Sequence, residues 1–271
     1  MRTISRSKKR WWQSTYTGTI VRLPRGEIVC DDALAFLNAL KAECADVVFL
    51  DPPFNLGKRY GSRAESDDSL GDDRYFGYMT AVLRRSCEVL KRGGALYLYH
   101  IPKWAIRFAQ VLEHPLLFRH WIAISMKNGF VRPKHLHPAH YALLYYTKGD
   151  PRVFSRPRLP LAQCRKCGEN IKDYGGYKKY VANGVNLSDV WEDVSPVRHR
   201  KFKHREGNEL PMKIPARIIE MSGVVGGVLV DPFAGAGTAL VAARDNHMHF
   251  VGCDKEKAFL GVMTRRLTST R

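Results

Sequence analysis

An apolar run, Val47-Val48-Phe49-Leu50, ends abruptly in Asp51-Pro52-Pro53-Phe54. The run predicts a buried strand. Its end is stiff, because each proline ring fixes φ and removes a backbone N–H. A carboxylate at a strand tip, two prolines and an exposed aromatic ring make a rigid cup. Asp51 can accept hydrogen bonds from an amino group, and Phe54 can stack on a flat heterocycle. That chemistry suits methylation of an exocyclic amine on a nucleobase. Read alone, the tetrapeptide also fits the plain end of a strand.

Residues 228–238, Val-Leu-Val-Asp-Pro-Phe-Ala-Gly-Ala-Gly-Thr, narrow the choice. An apolar strand runs into Asp231, a loop holds Gly235 and Gly237, and an alanine-rich helix follows. Such glycines let the backbone approach a nucleotide-like ligand closely. Leu240 stands where a dinucleotide fingerprint has its third glycine, which argues against NAD. A second strand, Met248 to Cys253, ends in Asp254, 19 residues after Gly235. An acid near that offset can bind ribose hydroxyls. Either motif alone fits an ordinary turn; both in one chain are harder to obtain by accident.

In this order the two motifs resemble those of the beta group of amino-directed DNA methyltransferases, over nearly all of residues 17–265. The resemblance implies a doubly wound, Rossmann-like α/β sheet of circularly shifted order. The catalytic half, 17–150, precedes the cofactor half, 208–271, with a target-recognition insertion at 151–207 and a basic tail at 1–16. S-adenosylmethionine is the implied cofactor. Its site takes in Asp231, Pro232, Phe233, Gly235, Gly237, Thr238 and Asp254. Asp32 approaches the cofactor's adenine, and Asn208 and Lys213 come from the segment before the glycine loop. Lys213 and Pro215 match the family better than Asn208 does. Asp51, Pro52, Pro53 and Phe54 form the catalytic motif. The Asp51 carboxylate and Pro52 carbonyl accept the two N–H bonds of the target amine, and Phe54 stacks on the flipped base. Aspartate at the first position favours adenine N6, with cytosine N4 the nearest alternative. A homodimer is implied on the same ground, and a cognate restriction enzyme is compatible with it.

The net charge of +18 points to a polyanionic partner, most simply double-stranded DNA. Residues 1–16 carry five Lys/Arg and no acid, and residues 151–207 carry 13 Lys/Arg against six Asp/Glu. Lys58 and Arg59, then Lys178, Lys179, Arg198, Arg200, Lys201 and Lys203, are the candidate DNA contacts. A merely solvated basic surface is the competing reading. With no run of 18 apolar residues and no apolar leader, the expectation is a cytoplasmic protein that does not meet a membrane.

Of six cysteines, Cys30, Cys44, Cys87 and Cys253 read as reduced, buried thiols. None follows a proline, so the Pro-Cys nucleophile of cytosine ring methylation is missing. Cys164 and Cys167 lie in a basic loop. They admit half a zinc site, with His199 and His204 to complete it, or two free thiols. No metal site is assigned.

Coarse periodicity predicts a hairpin over 17–30, a helix from Asp31-Asp32 onward and a long loop over 55–72. A helix over about 73–91 ends at Gly93-Gly94. Strands at 95–99, 121–124 and 141–146, a helix at 103–113 and an amphipathic helix before the glycine loop complete the pattern. The leading function is N6-adenine methylation of duplex DNA. The competing classes are an RNA base methyltransferase, a silent DNA-binding protein, and a small-molecule enzyme that would leave the charge unexplained.

Overall fold

The computed structural model describes residues 11–56, 70–125, 133–134, 136–161, 163–164, 166–169, 184–197 and 209–269. A parallel block forms its centre. In spatial order it runs β2 (Gly26–Cys30), β11 (His249–Asp254), β10 (Val228–Asp231), β3 (Ala45–Leu50) and β4 (Leu90–His100). β1 (Ile20–Leu23) closes one edge as an antiparallel hairpin partner of β2. Beyond β4 lie β6 (His140–Thr147), antiparallel to it, then β5 (Leu117–Ser125) and a short β9 (Val190–Trp191), while β7 (Arg158–Leu159) and β8 (Val185–Asn186) pair antiparallel in a separate small sheet.

Both faces of this sheet are covered, which is why its central strands are continuously apolar. Val48 and Leu50 point to one layer, with α1 (Ala33–Ala39), α2 (Asp72–Val89) and α3 (Pro102–Leu112). Val47 and Phe49 point to the other, with α4 (Lys213–Ser222), α5 (Thr238–Asp245) and α6 (Lys257–Thr268). The chain leaves β10 outward toward β11 and leaves β3 outward toward β4. β10 and β3 pair directly, Leu229 beside Val47 and Val230 beside Val48. The strand order therefore reverses between them, and a crevice opens at their carboxyl ends, where open α/β sheets bind ligands. This is the doubly wound fold expected, with the half carrying Asp51 first in the chain.

Four expectations change. The basic N-terminal segment does not stay a tail to residue 16. Trp12 is fully buried, stacks on Tyr16 at 4.6 Å and meets Phe36 edge-on at 5.7 Å. Its indole N–H donates to Glu27, so two aromatic rings outweigh the charge that precedes them. Gly93-Gly94 does not end α2. That helix stops at Val89, and the glycines lie inside β4, where a Gly94 Cβ would sit 2.9 Å from the Asp46 carbonyl oxygen. The segment 151–207 is not wholly an insertion. β9 extends the central sheet, and Trp191 is buried in the second core layer. Cys30 is exposed and Cys44 half-buried, unlike Cys87 and Cys253; Cys30 is the last residue of β2, at the carboxyl end of that strand. α6 had no counterpart in the sequence reading, although Phe259, Leu260, Met263 and Leu267 follow a helical spacing.

Candidate active site

The two sequence motifs meet at the crevice. Phe49, Asp51, Glu209, Leu210, Asp231, Phe233 and Gly235 line one cleft, together with Ala234, Ala236, Thr238 and Ala239. Asp231 closes β10 and is 2% exposed. Its carboxylate accepts the Phe233 N–H at 2.9 Å. Burial pushes its carboxyl well above the usual carboxylate range, and the charges of Asp51 and Asp254 push the same way. Three acids thus act on one small volume, which a cation would relieve.

Gly235 and Gly237 carry φ of +51° and +79°, the left-handed region open to glycine at little cost. A Cβ at Gly237 would also lie 3.0 Å from Met263 Cγ. The loop is pinned from below. Asp254, at the end of β11, accepts the Gly235 N–H and the Glu256 N–H, each at 2.8 Å. The Arg266 guanidinium donates to the Ala236 carbonyl at 2.7 Å, to Thr238 Oγ1 at 3.2 Å and to Glu209 at 3.4 Å. Glu209 and Arg266 were missed in the sequence. Glu209 is an acid beside the residue singled out there, and Arg266 belongs to the unread helix.

Asp32 is the N-cap of α1, accepting the Leu34 N–H at 2.9 Å and the Ala35 N–H at 3.2 Å. Its second oxygen accepts the Tyr78 hydroxyl at 2.8 Å. Its neighbour Asp31 donates its N–H to the Asp254 carbonyl at 3.2 Å, so Asp32 stands beside Asp254 on the same edge. Lys213 is placed differently. Its ammonium bonds the Asp193 carbonyl and carboxylate at 3.0 and 3.1 Å, and it does not line the cleft.

On the Asp51 side the wall is aromatic. Phe54 is half-buried rather than exposed, because three rings pack on it: His100 at 4.8 Å, Tyr141 at 5.6 Å and Tyr99 at 5.8 Å. Burial, then the charge of Asp51, raises the hydroxyl pKa of both Tyr99 and Tyr141. The two tyrosines are the last-but-one residue of β4 and the second of β6, two strands that pair antiparallel. Sequence periodicity marked them as strand residues only. Pro52 is buried and Pro53 half-buried beneath the cup.

Asn208 and the candidate DNA contacts Lys58, Arg59, Lys178, Lys179, Arg198, Arg200, Lys201 and Lys203 lie outside the described residues, as do His199 and His204. Cys164 and Cys167 flank a tight turn closed by the Gly168 N–H on the Cys164 carbonyl at 2.8 Å. Among the described residues no three His, Cys, Asp or Glu gather as metal ligands, so this turn offers two sulfurs of the four ligands zinc takes.

The donor set fits S-adenosylmethionine. Glycines at positive φ admit close approach, and Asp231 and Glu209 face a volume suited to a sulfonium and an ammonium group. Among known proteins, M.BamHI from Bacillus amyloliquefaciens, a type II methyltransferase, is 44% identical over 223 residues, 81% of this chain and 52% of that protein. The chain thus spans about half the length of that relative. The solved M1.HpyAVI–SAM complex superposes with a TM-score of 0.59 at 17% identity, covering 90% of this chain and all of that one. The PvuII DNA methyltransferase, cytosine-N4-specific, gives 0.65 at 13% identity, covering 91% and 88%. These two likenesses show the fold. The DNA methylase family of N6/N4 type matches residues 45–265, and with that match, two motifs converging on one cleft and a 44% identical type II methyltransferase, the chain belongs to this family.

Proposed function

We propose that the protein transfers a methyl group from S-adenosylmethionine to an exocyclic amine in duplex DNA, with adenine N6 as the target. The observation that carries this reading is the meeting of Asp51 with Asp231 and Gly235 in one cleft at the sheet's switch point. When bound there, S-adenosylmethionine supplies a methyl group on a positively charged sulfur. Asp231, Glu209 and the glycine loop would hold it, and Asp254 and Asp32 would serve its ribose and adenine. An aromatic amine is a poor nucleophile because its lone pair is delocalised into the ring. Asp51 and the Pro52 carbonyl accept its two N–H bonds, which frees the lone pair. Phe54, with Tyr99 and Tyr141 behind it, takes the face of the base. Positioning and electrostatics carry the rate. A base inside a duplex has to flip out to reach the cup, at a cost of a few kcal/mol.

The same reading places the chain in the beta group, as a cytoplasmic homodimer whose basic residues at 58–59 and 178–203 contact phosphates. A restriction enzyme of the same specificity would be its natural counterpart. Aspartate at the first position of the cup favours adenine; cytosine presents the same pair of N–H bonds, so its N4 amine is the second reading. The test is mass spectrometry of nucleosides from DNA incubated with protein and cofactor, beside Asp51→Ala. N6-methyladenosine made only by the intact protein is expected. N4-methylcytosine would keep the chemistry and change the base. Normal methylation by Asp51→Ala would overturn the assignment of Asp51.

A further inference from the structure

The loop 51–54 has a donor problem. Pro52 and Pro53 have no backbone N–H, so this stretch is rich in acceptors and poor in groups that could tie it to its surroundings. The tie comes from outside. The Tyr75 hydroxyl, on α2, donates to the Pro53 carbonyl at 2.5 Å and also lies 2.8 Å from His100 Nε2. Tyr75 is 3% exposed and His100 is fully buried.

Each proton in this chain can be assigned. The Ile101 N–H donates to His100 Nδ1 at 2.8 Å, so Nδ1 is an acceptor. Burial lowers the imidazole pKa to about 3, so the ring is neutral and its single proton sits on Nε2. Nε2–H therefore donates to the Tyr75 oxygen. The Tyr75 proton is directed to Pro53 in turn. The order His100, Tyr75, Pro53 carbonyl is the one arrangement that satisfies all three groups.

The same imidazole packs against Phe54 at 4.8 Å, so it touches the cup on its ring side as well. The two side chains are themselves wedged. Tyr75 meets Trp104 edge-on at 4.8 Å, and His100 meets Phe108 edge-on at 5.5 Å. Trp104 and Phe108 belong to α3 and are buried. Residues of β4 and α3 thus hold the one α2 side chain that bonds the backbone carbonyl between the catalytic acid and the stacking ring.

We propose that Tyr75 and His100 are positioning residues for the transfer, a buried relay that sets the Pro53 peptide plane and hence the aim of the Asp51 carboxylate, the Pro52 carbonyl and the Phe54 ring. The proposal rests on the reading of Asp51 given above. Neither residue touches substrate. Their effect falls on the geometry of the reacting complex, where a misplacement near 1 Å costs on the order of 10²-fold in rate.

The experiment compares single-turnover methyl transfer, cofactor affinity by calorimetry and thermal midpoint for the full chain, Tyr75→Phe, His100→Leu and His100→Gln. Tyr75→Phe keeps the ring and deletes one hydroxyl. The expected result is a rate at least about tenfold lower, with cofactor affinity within about twofold of the parent. His100→Leu should lose rate similarly. His100→Gln, whose amide N–H can still donate to Tyr75, should recover a substantial part of it. A parental rate in folded Tyr75→Phe would overturn the proposal. So would a parallel fall of rate, cofactor affinity and melting temperature with no recovery in His100→Gln, which would mark a purely structural role. The two readings fail separately. Active Asp51→Ala would remove the catalytic assignment itself, whereas inactive Asp51→Ala beside fully active Tyr75→Phe would remove the relay alone.

Discussion

Asp46 and Val228 stand 182 residues apart in the chain, yet the Asp46 carboxylate accepts the Val228 backbone N–H at 2.8 Å. This bond joins β3, the strand that runs into Asp51, to β10, the strand that ends in Asp231, at the end of the sheet opposite the cleft. The same carboxylate pairs with Lys91 at 2.7 Å and with Arg152. Asp46 is 4% exposed, so its charge is held by partners rather than by water. Replacing it by Ala strands a buried N–H and removes the shared anion. The expected loss is about 3 kcal/mol in urea unfolding. A midpoint equal to that of the parent would refute this role.

Trp12→Ala should cost about 3–5 kcal/mol, the usual range for deleting a large buried aromatic side chain. It removes the stack on Tyr16 and leaves Glu27, 9% exposed, without its indole donor. Trp12→Phe keeps the ring contact and loses the hydrogen bond, so it should fall between the two. Equal stability of Trp12→Ala and parent in denaturant melts would show that the N-terminal segment is not part of the core.

His100 gives the protein a specific acid sensitivity. Its pKa is about 3 folded, lowered by burial from an ordinary 6.5. Between those values the unfolded chain binds a proton that the folded chain refuses. Stability from this group is complete above about pH 6.5 and is lost as pH falls toward 3, at up to about 1.4 kcal/mol per pH unit. Unfolding free energy measured from pH 7 to pH 4 should show this slope in the parent and a shallower one in His100→Gln. Parallel curves would rule it out.

Arg266→Ala should weaken cofactor binding about tenfold without altering DNA affinity, because it frees the Ala236 carbonyl and Thr238 on the loop that lines the cleft. Isothermal calorimetry with S-adenosylmethionine measures the first, and a gel-shift titration the second. Unchanged cofactor affinity would mean that Asp254 alone suffices to hold the loop.

Much of this site was legible because its chemistry is local. Asp51-Pro52-Pro53-Phe54 and Asp231 to Thr238 are contiguous, and each pairs an apolar strand with residues that restrict or free the backbone in a way few other segments need. The strands and helices flanking them followed from the same apolar patterns. The misplaced elements fail for local reasons too. Gly93-Gly94 looks like a helix stop in sequence, but close packing against Asp46 is what requires small residues there. Trp12 looks like part of a charged tail, but its partners Phe36 and Glu27 lie on α1 and the hairpin, distant from it in sequence.

By itself the sequence determined the two motifs, their order and the doubly wound class, since these depend on residue type and spacing along the chain. Only the tertiary structure decided which groups surround them. Tyr75 reaches Pro53 from α2 with His100 of β4 behind it, and Tyr99 and Tyr141 face Phe54 from adjacent strands. Arg266 reaches Ala236 from the last helix. Hydrogen bonds and ring contacts between residues distant in sequence leave no periodic trace in the chain. They exist because the sheet brings the carboxyl ends of its parallel strands to one edge.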